Sequence, residues 1–239
     1  MTVGFADSAT LRDRLQALRS AQKSGAGVPA YTRWINRRLA RGVAAAAASA
    51  GLGPNAVTLA SAGLSVAGLV VLVAAPASLP SAVVAAVLLA AGYVLDSADG
   101  QVARLTGRAG PAGEWLDHVV DAIRTPLIHT AVAIAVFLHR PDEEWLMIVA
   151  LSYAVLSSGQ FMSQILAEQL ATRHGRDRSE GPGIAKSIAL LPTDPGALCW
   201  AFLLWAAPTA FGLVYAALFV ANLIHTAASM RRKHRLLAR

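Results

Sequence analysis

The sequence predicts an all-α polytopic membrane protein with six transmembrane helices and one amphipathic interfacial helix before them. Of its 239 residues, 55% are hydrophobic and only 15% are charged, whereas soluble domains carry about 25% charged residues. Apolar stretches close to the ~20 residues that cross a bilayer recur along the chain. Because backbone groups in a bilayer must be hydrogen-bonded within the protein, we expect these stretches to be helical.

The polar N-terminal region precedes the apolar stretches. We expect residues 1–28 to form a polar tail without a cleavable signal peptide, because no basic-then-apolar pattern occurs there. Residues 29–50 combine Trp34 and Leu39 with four arginines, the pattern of an amphipathic helix lying on an anionic membrane surface. An ordinary solvated charged helix is the alternative interpretation.

The apolar segments form a predicted transmembrane domain of residues 51–230, followed by a basic tail at 231–239. The six predicted spans are residues 55–75, 80–97, 114–138, 145–168, 186–206 and 209–229. The fifth span is the least regular because Lys186, Pro192 and Pro195 interrupt it.

The distribution of basic residues predicts the orientation of the chain. Apart from Arg124 and Arg140, every Lys and Arg lies before the first span, at 97–113, around the connection between the fourth and fifth spans, or in the C-terminal tail. Because basic residues stay on the cytoplasmic side, we expect both termini and the 97–113 loop to face the cytoplasm, in the plasma membrane. This topology explains the net charge of +7 without nucleic acid as a partner.

Four aspartates are concentrated where the second and third spans meet. Asp96 and Asp99 are three residues apart and Asp117 and Asp121 are four apart, so each pair lies on one face of its helix. Ionised carboxylates brought together need cations or protons. Oxygen ligands suit Mg²⁺ or Mn²⁺, and four carboxylates could hold two ions, as in phosphoryl-transfer sites. A polar hairpin that only caps two helices is the alternative.

The segment between the two pairs suits a phosphate ligand. Gly100 leaves room beside the carboxylates, Ala103 is small, and Arg104 offers a planar guanidinium. Residues 96–121 match the pattern D-x2-D-G-x2-A-R-x8-G-x3-D-x3-D. This pattern resembles the signature of the CDP-alcohol phosphotransferase family, and GPNAVT at 53–58 resembles that family's entry to its first span.

The resemblance implies an integral membrane enzyme, usually a homodimer, that cleaves a CDP-linked alcohol, transfers its substituted phosphate to a hydroxyl and releases CMP. The ligands it implies for two Mg²⁺ or Mn²⁺ ions are Asp96, Asp99, Asp117 and Asp121. Asp121 would also act as the base on the acceptor hydroxyl. The residues expected at the donor are Gly100, Ala103, Arg104, Gly113, Asn55 and Thr58.

The acceptor site is less defined in the sequence. Arg124 lies one helical turn deeper than Asp121 and could bind an acceptor phosphate or form a salt bridge with the aspartates. An anionic-acceptor pocket could be formed by Arg173, Arg176, Arg178 and Lys186, although membrane topology also explains them. Polar side chains of the fourth and sixth spans could line a cavity or bond between helices: Ser157, Gln160, Gln164, Glu168, Asn222 and His225.

We expect the donor to be CDP-diacylglycerol and the acceptor to be a phosphorylated polyol, such as inositol phosphate or glycerol 3-phosphate, in phospholipid biosynthesis. A soluble donor such as CDP-inositol is an alternative, because AYTRWINRRLAR at 30–41 resembles the Ser/Thr-Arg-x-x-Asn-Arg segment of the inositol-phosphodiester branch. A cation transporter or channel is the non-enzymatic alternative, since acids within spans also mark ion pathways.

Overall fold

The computed structural model describes Gln16, Leu18, residues 27–175 and residues 183–238, and within them the chain is helical with no strand. This confirms the predicted all-α class. Most of the predicted N-terminal tail lies outside the described residues. The eight α-helices of the described part are α1 (Arg37–Ser49), α2 (Pro54–Ala74), α3 (Leu79–Thr106), α4 (Pro111–His139), α5 (Glu144–Arg173), α6 (Ile184–Ala189), α7 (Pro195–Ala201) and α8 (Pro208–Leu237).

The predicted amphipathic helix is present as α1, preceded by a π-helical turn, Thr32–Asn36. Alanines on one face of α1 are buried in a cluster shared with α3, and the small side chains allow the two helices to approach closely. Arg38 and Leu39 are exposed on the other side. Its position on a membrane surface stays a prediction.

Five helices, α2, α3, α4, α5 and α8, are long and apolar enough to cross a membrane. The shortest, α2, has 21 residues and is about 32 Å long at the helical rise of about 1.5 Å per residue, which matches the hydrocarbon core. The chain is therefore a multi-pass membrane protein.

The second predicted span continues beyond its expected end at residue 97. Helix α3 runs to Thr106, where Gly107 ends it in the left-handed conformation with φ of 65°, a common helix-terminating geometry for glycine. Pro111 then begins α4. The expected 97–113 loop is therefore wrong in its extent, and the polar motif up to Arg104 lies on a helix.

The predicted fifth span is a chain of short helices. It comprises α6, a 3₁₀ turn at Leu191–Thr193, α7 and a second 3₁₀ turn at Phe202–Ala206. Arg33 donates to Ser187 near the start of this segment, and Arg140 donates to the Trp205 carbonyl at the opposite end of the bundle. The segment therefore runs from one end of the bundle to the other, but its apolar helical part, Pro195–Ala206, is short. The count of six spans stays a prediction.

The largest hydrophobic cluster lies toward the Arg140 end of the bundle. Phe202, Trp205, Phe211 and Tyr215 are fully buried there among alanines of α3 and α4. The cavities described below lie toward the other end, where the aspartates are.

Candidate active site and metal centre

Three of the four aspartates meet between α3 and α4. Asp96, Asp99 and Asp117 each offer a carboxylate oxygen, and these oxygens lie within 4.8 Å of one another. Two of the carboxylates come from successive turns of α3 and the third comes from the first part of α4. The convergence predicted from the spacing is therefore observed for these three residues.

A buried hydroxyl group orients one of these carboxylates. Asp99 is only 5% exposed, and the Thr58 hydroxyl donates a hydrogen bond of 2.7 Å to its Oδ2. Thr58 belongs to the predicted donor residues, but its visible contact is with a carboxylate of the cluster. A hydrogen bond of this kind holds a ligand side chain in one orientation.

The fourth aspartate lies beside an arginine. Arg124 donates to Asp96 at 2.6 Å, forms an ion pair with Asp121, and donates to Ser61 Oγ at 3.0 Å. The salt-bridge alternative considered for Arg124 is thus present in the structure. Asp121 is not one of the three clustered carboxylates, but it shares the guanidinium group with Asp96, which is.

The clustered carboxylates suit a hard divalent cation. All three ligand groups are oxygens, and they come from two helices, α3 and α4, that both pack against α2. Mg²⁺ and Mn²⁺ prefer such ligands, and carboxylates at this separation repel each other without a counter-charge. The residues present therefore fit the predicted metal centre.

The first cavity, with a volume of about 810 Å³, opens beside Asp99 and Asp117. All six residues predicted for the donor line it: Asn55, Thr58, Gly100, Ala103, Arg104 and Gly113. Arg173, predicted for the acceptor, also lines this cavity and lies with the donor residues. The helical register from Asp99 to Arg104 explains how one stretch of α3 supplies both a carboxylate and the cavity wall.

A residue that lines the first cavity has an unsatisfied donor, and this favours an anionic ligand. The Arg104 Nε atom is buried and has no hydrogen-bond partner among the described residues. A Cβ atom on Gly100 would lie 3.6 Å from Arg104 Nη1, so the absence of a side chain at Gly100 keeps the space in front of this guanidinium open. A phosphate group could occupy that space and accept from the arginine.

The second cavity, of about 470 Å³, lies on the other side of the carboxylates and is lined by Asp96, Asp121 and Arg124. Five of the polar side chains noted in the fourth and sixth spans also line it: Ser157, Gln160, Gln164, Asn222 and His225. Asn222 in addition donates to the Tyr153 hydroxyl at 2.7 Å. These five side chains therefore line a cavity, and Asn222 also bonds between helices, whereas Glu168 lines the first cavity instead.

Lys233 is a residue of the second cavity that sequence reasoning missed. The sequence predicts that it belongs to the basic tail. Helix α8 instead continues to Leu237, and Lys233 is only 7% exposed. The sequence contains a pattern that indicates this position, because Asn222, Ser229 and Lys233 share one helical face. Lys186 lines neither cavity and instead lies in a separate cleft beside the last turns of α8.

Two comparisons with known proteins show what the chain is similar to. The sequence model of the CDP-alcohol phosphatidyltransferase family matches residues 52–230. An archaetidylinositol phosphate synthase of Aeropyrum pernix is 41% identical to the chain over 87 residues, which are 34% of this chain and 40% of that protein. The match therefore spans less than half the length of this curated relative.

Proposed function

Because the chain belongs to the CDP-alcohol phosphatidyltransferase family, we propose that it transfers a phosphatidyl-type group from a CDP-linked lipid to a phosphorylated polyol and releases CMP. The resemblance inferred from the aspartate pattern is confirmed by the family match. The observation that carries the proposal is the position of the carboxylates between two cavities. Asp99 and Asp117 line the first cavity and Asp96 lines the second.

The first cavity would hold the CDP end of the donor. Arg104 would donate its unsatisfied Nε–H to a phosphate oxygen, and Gly100 would leave room for that phosphate. Divalent cations held by Asp96, Asp99 and Asp117 would offset the negative charge that develops on the pyrophosphate. The CMP product would then leave from this cavity.

The second cavity would hold the acceptor. Asp121 would take the proton of the attacking hydroxyl, as a positioned carboxylate base does. Arg124, His225 and Lys233 line the same cavity, and their positive or proton-donating groups would suit an acceptor that carries phosphate. The name of the Aeropyrum pernix relative supports inositol phosphate as this acceptor, with glycerol 3-phosphate as the second candidate.

A lipid donor is favoured over a soluble one. The Thr32–Asn36 turn, which suggested a CDP-inositol donor, makes contacts within the protein: Thr32 donates to Asp194, and Asn36 donates to Ser97. These contacts account for the Thr32 hydroxyl and the Asn36 amide nitrogen without a soluble substrate. The membrane location of the chain supplies a lipid donor directly.

We also propose that the protein is a plasma-membrane homodimer with its active site and both termini in the cytoplasm. The aspartate end of the bundle carries Arg173, Lys186, Lys233 and the arginines that end α8. Basic residues are retained on the cytoplasmic side, which supports this orientation.

The decisive experiment uses the full chain in detergent with CDP-diacylglycerol and a panel of acceptors, with CMP measured and the product identified by mass spectrometry. We expect Mg²⁺-dependent CMP release with inositol phosphate or glycerol 3-phosphate, and much less with serine. The proposed transfer is rejected if no CDP-alcohol gives metal-dependent CMP release and Asp121→Asn behaves like the wild type. The cation transporter or channel would then be the favoured function.

A further inference from the structure

A basic cleft of about 520 Å³ lies between α6 and the end of α8, outside the two cavities assigned above. The basic side chains that line it come from both helices: Lys186, His225, Arg231, Arg232 and Arg235. None of the described residues that line it is an aspartate or glutamate. Among the ion pairs of the described residues, none involves the three arginines.

The convergence of these charges is more than membrane topology requires. The tendency of basic residues to stay in the cytoplasm depends on how many of them flank a span. It does not require that they lie close together in the folded protein. Here a lysine of α6 is brought to one concave surface with arginines from a helix that begins 19 residues after α6 ends. Like charges gathered on one concave surface raise the local positive potential, and an anion bound there would lower it.

The surroundings of the cleft are those of a membrane interface. Arg33, in the turn before α1, donates to Ser187 of α6 at 3.0 Å, so α6 lies beside the predicted interfacial helix. Helix α6 exposes Ile184 and Ile188, which are 63% and 56% exposed. Ile224, next to His225 in the chain, is 65% exposed. Exposed isoleucines beside arginines suit a ligand that has both a charged and an apolar part.

We propose that this basic cleft binds the phosphate headgroup of an anionic membrane phospholipid, with its acyl chains against the exposed isoleucines. The arginine guanidiniums would bond the phosphate oxygens as paired donors. The site is distinct from the proposed donor and metal sites, and only His225 is shared with the second cavity. The inference does not depend on the proposed transfer reaction.

The test measures lipid binding to the full chain in detergent by native mass spectrometry, with phosphatidylglycerol and phosphatidylcholine compared. We expect the wild type to prefer phosphatidylglycerol, and Arg232→Gln/Arg235→Gln to lose about fivefold in affinity per arginine. The matched control, Arg38→Gln/Arg41→Gln on α1, removes the same charge away from the cleft and should retain the preference.

Three results would overturn the proposal. Equal losses in the two double variants would mean that general surface charge attracts the lipid. Equal binding of phosphatidylcholine, or full displacement of the lipid by an equimolar amount of inorganic phosphate, would exclude a lipid-headgroup site. If the glutamine pair does not give a monodisperse protein, Arg235→Gln alone should still bind about fivefold more weakly.

Discussion

Arg124 connects the clustered carboxylates with the second cavity. It donates to Asp96 and pairs with Asp121, and it lines the cavity assigned to the acceptor. Its sequence position allowed either a salt bridge or acceptor binding, and the structure contains the salt bridge. A guanidinium has several donors, so these contacts are compatible with a further bond to an acceptor phosphate.

The role of Arg124 predicts a specific kinetic pattern. Arg124→Ala should raise the acceptor KM far more than the donor KM, and it should also lower kcat because Asp96 and Asp121 lose their shared partner. Steady-state CMP release with each substrate varied in turn measures both effects. Equal changes in the two KM values would reject the acceptor role.

Asp99 should be essential for metal binding. We expect Asp99→Asn to weaken Mn²⁺ binding and to lower CMP release by about 100-fold or more, because a buried ligand loses its charge. Titration of Mn²⁺ by electron paramagnetic resonance measures the first effect and a CMP assay the second. Asp142→Asn, in an exposed turn at the other end of the bundle, is the charge-matched control. Unchanged Mn²⁺ affinity in Asp99→Asn would contradict the metal assignment.

Thr58 should act through Asp99 rather than through the donor. Thr58→Val removes the hydroxyl that donates to Asp99, and loss of such a bond lowers metal affinity by about 10–100-fold. Thr58→Ser keeps the hydroxyl and should retain most of the affinity. If Thr58→Val changes only the donor KM and leaves Mn²⁺ binding intact, the residue contacts the donor instead.

At the level of helices, a joint of hydrogen bonds connects the turn before α1 with the start of α7. Asp194 accepts from the backbone N–H and the hydroxyl of Thr32, and it also caps α7 through the Gly196 N–H. The Trp200 indole donates to the Tyr31 hydroxyl at 3.0 Å. Burial raises the pKa of the Tyr31 hydroxyl, so this group stays protonated at neutral pH.

Gly196 is required for this joint because α7 and the Tyr31 ring are in direct contact. A Cβ atom at Gly196 would overlap the Tyr31 ring. We expect Gly196→Ala to destabilise the protein by about 1–3 kcal/mol, as overpacking does, and to lower the melting temperature in detergent. Gly42→Ala on α1 is the control, since a Cβ there meets nothing within 4 Å. Equal melting temperatures for both variants would show that the joint contributes little stability.

For the whole molecule, the number of membrane crossings can be tested by cysteine labelling. In a Cys199→Ala background, six spans predict that Asp142→Cys and Ala207→Cys react with a membrane-impermeant maleimide from outside the cell. Ala109→Cys and Ala238→Cys should react only after permeabilisation. Ala207 is expected outside because the segment from α6 to the end of the second 3₁₀ turn runs between the two ends of the bundle. Protection of Ala207→Cys in intact cells would reject six spans.

The sequence by itself determined the features that depend on local periodicity. Helix length and apolarity identified the long membrane helices, because a bilayer of fixed thickness selects them. The spacing of three and four residues placed each pair of aspartates on one helical face. The residues predicted for the donor lie close to Asp99 along α3 or on the facing starts of α2 and α4, and all of them line the first cavity.

Only the tertiary structure decided which cavity receives each distant basic side chain. Arg173 lines the first cavity with the residues predicted for the donor, Lys233 lines the second cavity, and Lys186 lies in the basic cleft. In the sequence all three are basic residues flanking spans, and positive charge at a span end carries no information about its neighbours across the bundle. Their positions follow from how the helices pack against one another, which depends on contacts between residues far apart in the chain.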